Sequence, residues 1–138
     1  MVFGLSLDEA ARLHGHKGPW LVIGYRAGSR AREVLKPETE HDILCIVRVP
    51  KKTPYTCTVD GIQASAGCTL GKLSIDIEES NAIEFEFRHR VSGKKIVLKL
   101  RRDVLKIIED VYREKGLEAA ARCIEELEFQ KLFEEIVM

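Results

Sequence analysis

The order of apolar and polar positions divides the chain into helical and extended stretches. Ser6-Leu7-Asp8-Glu9 has the spacing of a capping box, in which the serine hydroxyl takes the amide of residue 9 and the glutamate reaches back. Ala10, Ala11 and Leu13 carry that helix to His14, where Gly15, Gly18 and Pro19 interrupt it. Proline suits the first turn of a helix because the N–H it lacks has no partner there. A second helix is therefore expected from Pro19, with Leu21, Ile23, Ala27, Ala31, Val34 and Leu35 as its apolar face and Lys36-Pro37 as its end.

Ile43 to Val49 is β-branched and nearly continuous in apolar character, the pattern of a central strand. Pro50 to Pro54 is a turn. Thr58 to about Ala66 reads as a short helix with Val59, Ile62 and Ala66 inward and Gly67 at its C-cap. Leu73, Ile75 and Ile77 alternate with Ser74 and Asp76 as a strand. Ile83, Phe85 and Phe87 then alternate with Glu84, Glu86 and Arg88; Ser92-Gly93 turns the chain, and Ile96, Leu98 and Leu100 repeat the alternation. That is a hairpin with one wet face. Two amphipathic helices, Asp103 to about Lys115 and Leu117 to Ile136, meet at Gly116. The fold class is α+β: a mainly antiparallel or mixed sheet packed against helices. One domain is expected, with its core over residues 5–101 and a helical segment over 103–136.

Composition narrows the classes. Of 138 residues 45% are hydrophobic, as in ordinary globular proteins, which excludes global disorder. Lys plus Arg and Asp plus Glu each number 22, so the net charge is zero and no overall electrostatic case for a nucleic-acid partner exists. No apolar run approaches the ~18 residues that span a bilayer. The first residues have no basic region and meet Asp8 and Glu9 at once, unlike a secretory signal. A cytoplasmic protein without a membrane partner is expected. Cys45, Cys57, Cys68 and Cys123 are too sparse for a disulfide framework.

The candidate chemistry lies in three segments. His14-Gly15-His16 sets two imidazoles at a glycine-broken junction, where a bend at Gly15 lets both chelate one metal; solvated or core histidines at a turn are the plain alternative. Cys57 stands at an expected helix N-terminus, where free N–H groups and the dipole favour thiolate, fitting a nucleophile or a zinc ligand; a buried small side chain is the alternative. Cys45 and Cys123 read as core residues. Gly67-Cys68-Thr69-Leu70-Gly71-Lys72 sets a cysteine between glycines and a lysine after them, but lacks the P-loop pattern. Asp60 and Gln63, three apart, share one helix face that orients ligands, binds a polar substrate or faces solvent.

In order along the chain, Leu13-His14-Gly15-His16-Lys17-Gly18-Pro19, Ile23-Gly24-Tyr25-Arg26-Ala27, Cys57-Thr58-Val59-Asp60-Gly61-Ile62-Gln63 and Gly67-Cys68-Thr69-Leu70-Gly71-Lys72 resemble the FmdE family. This family is named for an accessory component of formylmethanofuran dehydrogenase. The hairpin residues Arg90-Val91-Ser92-Gly93-Lys94 also look like it, so the resemblance covers most of residues 5–101. Two departures matter: Gly18 stands where the family has a cysteine, and Trp20 where it has a glycine. The C-terminal zinc ribbon of many members is absent too.

The resemblance implies a FwdE/GAPDH domain-like layout, related to the catalytic domain of glyceraldehyde-3-phosphate dehydrogenase, which also presents a cysteine at a helix N-terminus. It implies zinc or another divalent transition metal held by His14, His16 and Cys57. Cys68 is a second-rank ligand, because a straight helix over 57–68 separates the sulfurs by about 16 Å. One function class is then a metal-binding accessory protein linked to a molybdenum or tungsten oxidoreductase of one-carbon metabolism. The other is a free-standing zinc- or thiol-dependent enzyme with Cys57 as catalytic residue, for which only His14 or His16 offers a base. A homodimer is expected from the wide apolar face of the Leu117–Ile136 helix, with Cys68 of one protomer completing the site of its partner; internal sandwiching of that helix is the competing reading.

Overall fold

The computed structural model describes residues 4–138; Met1 to Phe3, the start of the stretch compared with a secretory signal, lie outside the described residues. Helix α1 (Leu7–His14) opens on the capping box, with Glu9 N donating to Ser6 Oγ at 3.1 Å and Ser6 N to the Glu9 carboxylate at 2.9 Å. Helix α2 (Pro19–Leu35) starts on its proline and ends at Lys36. Strand β1 (Ile43–Val49), helix α3 (Cys57–Ala66), strands β2 (Ile75–Glu79), β3 (Glu84–His89) and β4 (Lys95–Leu100), and helix α4 (Arg102–Lys115) follow the apolar periodicities. Leu73, expected inside β2, lies in the turn before it at φ 55° with 83% of its surface exposed.

The C-terminal segment differs from the single helix expected there. Helix α5 covers only Leu117–Glu126, a single turn α6 spans Phe129–Leu132, and Phe133–Val137 is a strand, β5. Leu127 leaves the helical region at ψ 137°, and the alternation from Phe133 onward fills the open edge of β4, pairing Leu100 with Phe133 and Ile96 with Val137. Unpaired strand groups draw a neighbour in a way that helical periodicity does not reveal. Two arginines of α2 hold this arrangement. Arg26 Nη1 donates to the carbonyls of Ile124 and Leu127, at 2.8 and 2.5 Å, and so caps the end of α5. Arg30 clasps both carboxylate oxygens of Glu135 at 2.6 and 3.0 Å.

The sheet is mixed, in the order β2-β1-β3-β4-β5, with β1 and β2 parallel and the other neighbours antiparallel. Ile43, Cys45, Val47 and Val49 of β1 alternate inward and join Phe85, Phe87, Ile96, Leu98 and Phe133. The same core takes Ile23 and Ala27 of α2, Ala121 and Ile124 of α5, and Val104 and Ile108 of α4. Because α5 lies between α2 and α4, Ala120, Ala121, Ile124, Leu132 and Phe133 of the C-terminal segment are buried within one chain. The wide helical face on which the expected dimer rests therefore does not form. No helix among the described residues is long and apolar enough to cross a membrane.

Helices α2 and α3 touch at backbone distance. A Cβ on Gly24 would sit 1.9 Å from Thr58 O, and one on Gly61 2.2 Å from Leu21 O, so neither position has room for a side chain. Residues 21 and 24 meet 58 and 61, and 28 meets 65 and 66, so the two helices run the same way. Helix α1 crosses them in reverse: Leu5 N donates to Ala64 O at its start, and His14 reaches Asp60 at its end. The C-terminus of α1 and the N-termini of α2 and α3 consequently share one end of the helical layer.

Candidate functional site

At that shared end His14 is the last residue of α1, Gly15 turns the chain at φ 111°, and His16 stands exposed beside it. The imidazole centroids are 4.8 Å apart with the rings tilted by 45°. The left-handed turn that brings them together favours glycine at residue 15. His14 Nδ1 lies 2.5 Å from Asp60 Oδ2. A carboxylate only accepts, so Nδ1 carries the hydrogen and Nε2 is the nitrogen left for other work. Carboxylates that orient metal-binding histidines in this way fix the ring and its tautomer.

Two further contacts set the approach to the histidines. Lys17 Nζ pairs with Glu125 of α5 at 2.8 Å, and Trp20 meets Tyr55 edge to face at 5.0 Å, joining the first turn of α2 to the segment before α3. A Cβ on Gly18 would lie 3.3 Å from His16 Nε2 and 3.7 Å from Leu117 Cδ1. Position 18 therefore borders the free edge of the His16 ring.

Cys57 opens α3, half-buried and one turn before Asp60 on the same helix face. The structure reverses the expected thiolate. Burial pushes the Cys57 thiol up, and the Asp60 charge adds to the effect. The helix end offers little opposition, because the amides of Cys57, Thr58 and Val59 are spent on the carbonyls of Pro54, Tyr55 and Thr56.

Cys68 stands at the far end of α3, past the Gly67 cap, with no exposed surface and its Sγ–H donated to Ile43 O at 3.3 Å. Burial pushes its thiol up to about 12. The full rise of α3, about 14 Å, separates it from Cys57, and a second protomer has no access to a side chain so enclosed. Cys45 is buried in β1, and Cys123 sits half-buried on α5. The Gly67–Lys72 turn is bonded to α3 and to itself: Leu70 N donates to Gln63 Oε1 of α3 at 3.0 Å and Lys72 Nζ to Thr69 Oγ1 at 2.8 Å.

The structure thus gathers His14, His16 and Asp60, with Cys57 one turn from Asp60, and sets Cys68 apart. Asp60 is the residue whose place the sequence left open; its i, i+3 spacing from Cys57 was the available signal. Among the described residues no three His, Cys, Asp or Glu side chains already stand together in metal-binding geometry. The donor set is two imidazoles and a thiol, the chemistry zinc takes, and His16 is exposed enough for its ring to swing.

The family model described as FmdE, Molybdenum formylmethanofuran dehydrogenase operon, matches residues 13–138. The chain is also similar to a protein of Archaeoglobus fulgidus described as a probable S-adenosyl-L-methionine-binding protein. The two are 36% identical over 75 residues, which cover 50% of this chain and 19% of that protein.

Proposed function

The chain belongs to the FmdE family, and on that footing we propose that it is a metal-binding accessory protein holding one zinc-like ion through His14 Nε2, His16 and Cys57. The observation that carries this reading is the 2.5 Å contact between His14 Nδ1 and Asp60, which leaves Nε2 as the ring nitrogen for a ligand role, beside a second imidazole. Zinc bound there supplies a Lewis acid and, at any position left to solvent, an activated water. Asp60 holds the His14 ring, and Gly15 sets the second imidazole at its side. A thiol pushed up by burial favours Cys57 as a ligand deprotonated on binding over Cys57 as a free nucleophile. The operon in the family's description points to a molybdenum-dependent oxidoreductase as the assembly served. The S-adenosylmethionine in the relative's description is not carried to this chain, because the match spans 19% of that protein.

Calorimetric titration of tag-free chain with zinc tests the reading. One site per chain is expected, weakened in His14→Ala, His16→Ala and Cys57→Ala alike. A folded wild type that takes no zinc, or a triple variant that binds like wild type, overturns it.

A further inference from the structure

The β3–β4 turn, Arg90-Val91-Ser92-Gly93-Lys94, stands out in the sequence and has no part in the metal site. His89 N donates to Lys94 O at 2.8 Å and Gly93 N to His89 O at 2.9 Å, with Gly93 left-handed at φ 77°. A side chain closes the tip. The amides of Val91 and Ser92 both donate to His89 Nδ1, at 3.2 and 3.3 Å. Accepting from them takes the Nδ1 lone pair, so the neutral ring carries its hydrogen on Nε2. Turning the ring over would set a C–H against both amides, which fixes this assignment. Nε2 lies 3.8 Å from Oδ2 of Asp42, in the loop before β1, and the two side chains are only 13% and 14% exposed. The Thr39 hydroxyl and the amides of Thr39 and Glu38 hold the Asp42 carboxyl below the usual range, so it stays ionised where imidazoles titrate.

The other charges around the turn are engaged elsewhere. Arg90 Nε donates to His41 O at 3.0 Å, Lys94 Nζ to Val34 O of α2 at 3.5 Å, and His41 pairs with Glu40 at 3.4 Å. Arg88 and Lys95, opposite each other on β3 and β4, alternate to the other face of the sheet. Among the described residues no carboxylate but Asp42 lies within ion-pair distance of His89. We propose that His89 is a pH-operated latch on this turn. The neutral ring closes the tip through Nδ1. A second proton enters only at Nδ1, where it turns the acceptor into a donor facing two donors. The imidazolium is then held by Asp42, and the Val91 and Ser92 amides pass to solvent. The backbone bonds at residues 89, 93 and 94 do not involve the ring, so the hairpin persists and the tip alone opens. Acid thereby changes the setting of Val91, whose side chain stands 81% exposed at the tip. Lys94 ties the turn to the last residues of α2, whereas His14 and His16 adjoin its first, so the latch and the metal site are about 20 Å apart and independent.

Nitrogen-15 NMR of the full chain from about pH 8 to about pH 5, the range in which imidazole changes charge, tests the latch. At the upper end the His89 ring is expected in its Nε2–H form. On acidification the Val91 and Ser92 amide signals are expected to move with the same midpoint as the ring. Their protection, corrected for the intrinsic pH dependence of exchange, is expected to fall about tenfold, the scale of one lost hydrogen bond. In His89→Asn the side-chain oxygen accepts amides just ahead of it without titrating, so the tip is expected to stay closed at both ends of the range. His89→Phe, which offers no acceptor, is expected to leave it open at both. A neutral ring with its hydrogen on Nδ1, amides that ignore the titration of the ring, or the same pH transition in His89→Asn overturns the proposal.

Discussion

Asp60 reaches two of the proposed donors at once, touching His14 through one oxygen and acting on Cys57 through space. Asp60→Asn is expected to weaken zinc binding by about 10–100-fold, the usual cost of losing a partner that orients a metal-binding histidine, as read by competition with a chelating dye. In metal-free protein the same substitution removes a charge that disfavours thiolate. Cys57 is therefore expected to react with iodoacetamide more slowly than a free thiol of pKa ~8.5 at the same pH, and faster in Asp60→Asn. Gly18→Cys brings a thiol to the edge of the His16 ring with a Cβ at 3.3 Å, a distance a small shift accommodates; tighter zinc binding is expected by calorimetry. Asp42 carries a separate expectation. The Thr39 hydroxyl and the amides of Thr39 and Glu38 hold its carboxyl below the usual range. A depressed folded-state pKa contributes stability that is present above the unfolded value of ~3.9 and is lost as pH falls through the folded value. Asp42→Asn is expected to melt below wild type at neutral pH, with the gap closing in acid.

At the scale of elements, the α2–α3 contact decides where the site residues stand. Gly24→Ala drives a methyl into Thr58 O and Gly61→Ala one into Leu21 O, backbone atoms that yield only if the helices part. Each is expected to lower stability by about 3 kcal/mol or more in urea unfolding, whereas Gly71→Ala, with nothing within 4 Å, is expected to change little. The apolar periodicity of α2 and α3 was legible in the chain. Their parallel, backbone-close packing was not, because a glycine in a helix has the same appearance in sequence whether it faces water or another backbone. The capping box of α1 was legible for the opposite reason: its bonds span three residues and depend on nothing else.

Over the whole molecule, the last strand closes the sheet with residues whose sequence fits more than one structure. Ending the chain after residue 127 removes Leu132 and Phe133 from the core and opens the edge of β4. That truncation is expected to abolish the cooperative thermal transition in near-ultraviolet circular dichroism. The sequence alone settled the α+β class, the β1 and hairpin strands, α1 to α4 and the family, because local spacing and turn chemistry act over a few residues. It also supplied His14, His16 and Cys57 as candidates. Tertiary structure alone decided that Phe133–Val137 is a strand, since only the free edge of β4 selects extended backbone over helix there. It likewise brought Asp60 to His14 and left Cys68 enclosed at the other end of α3, because those placements depend on how helices far apart in sequence pack together.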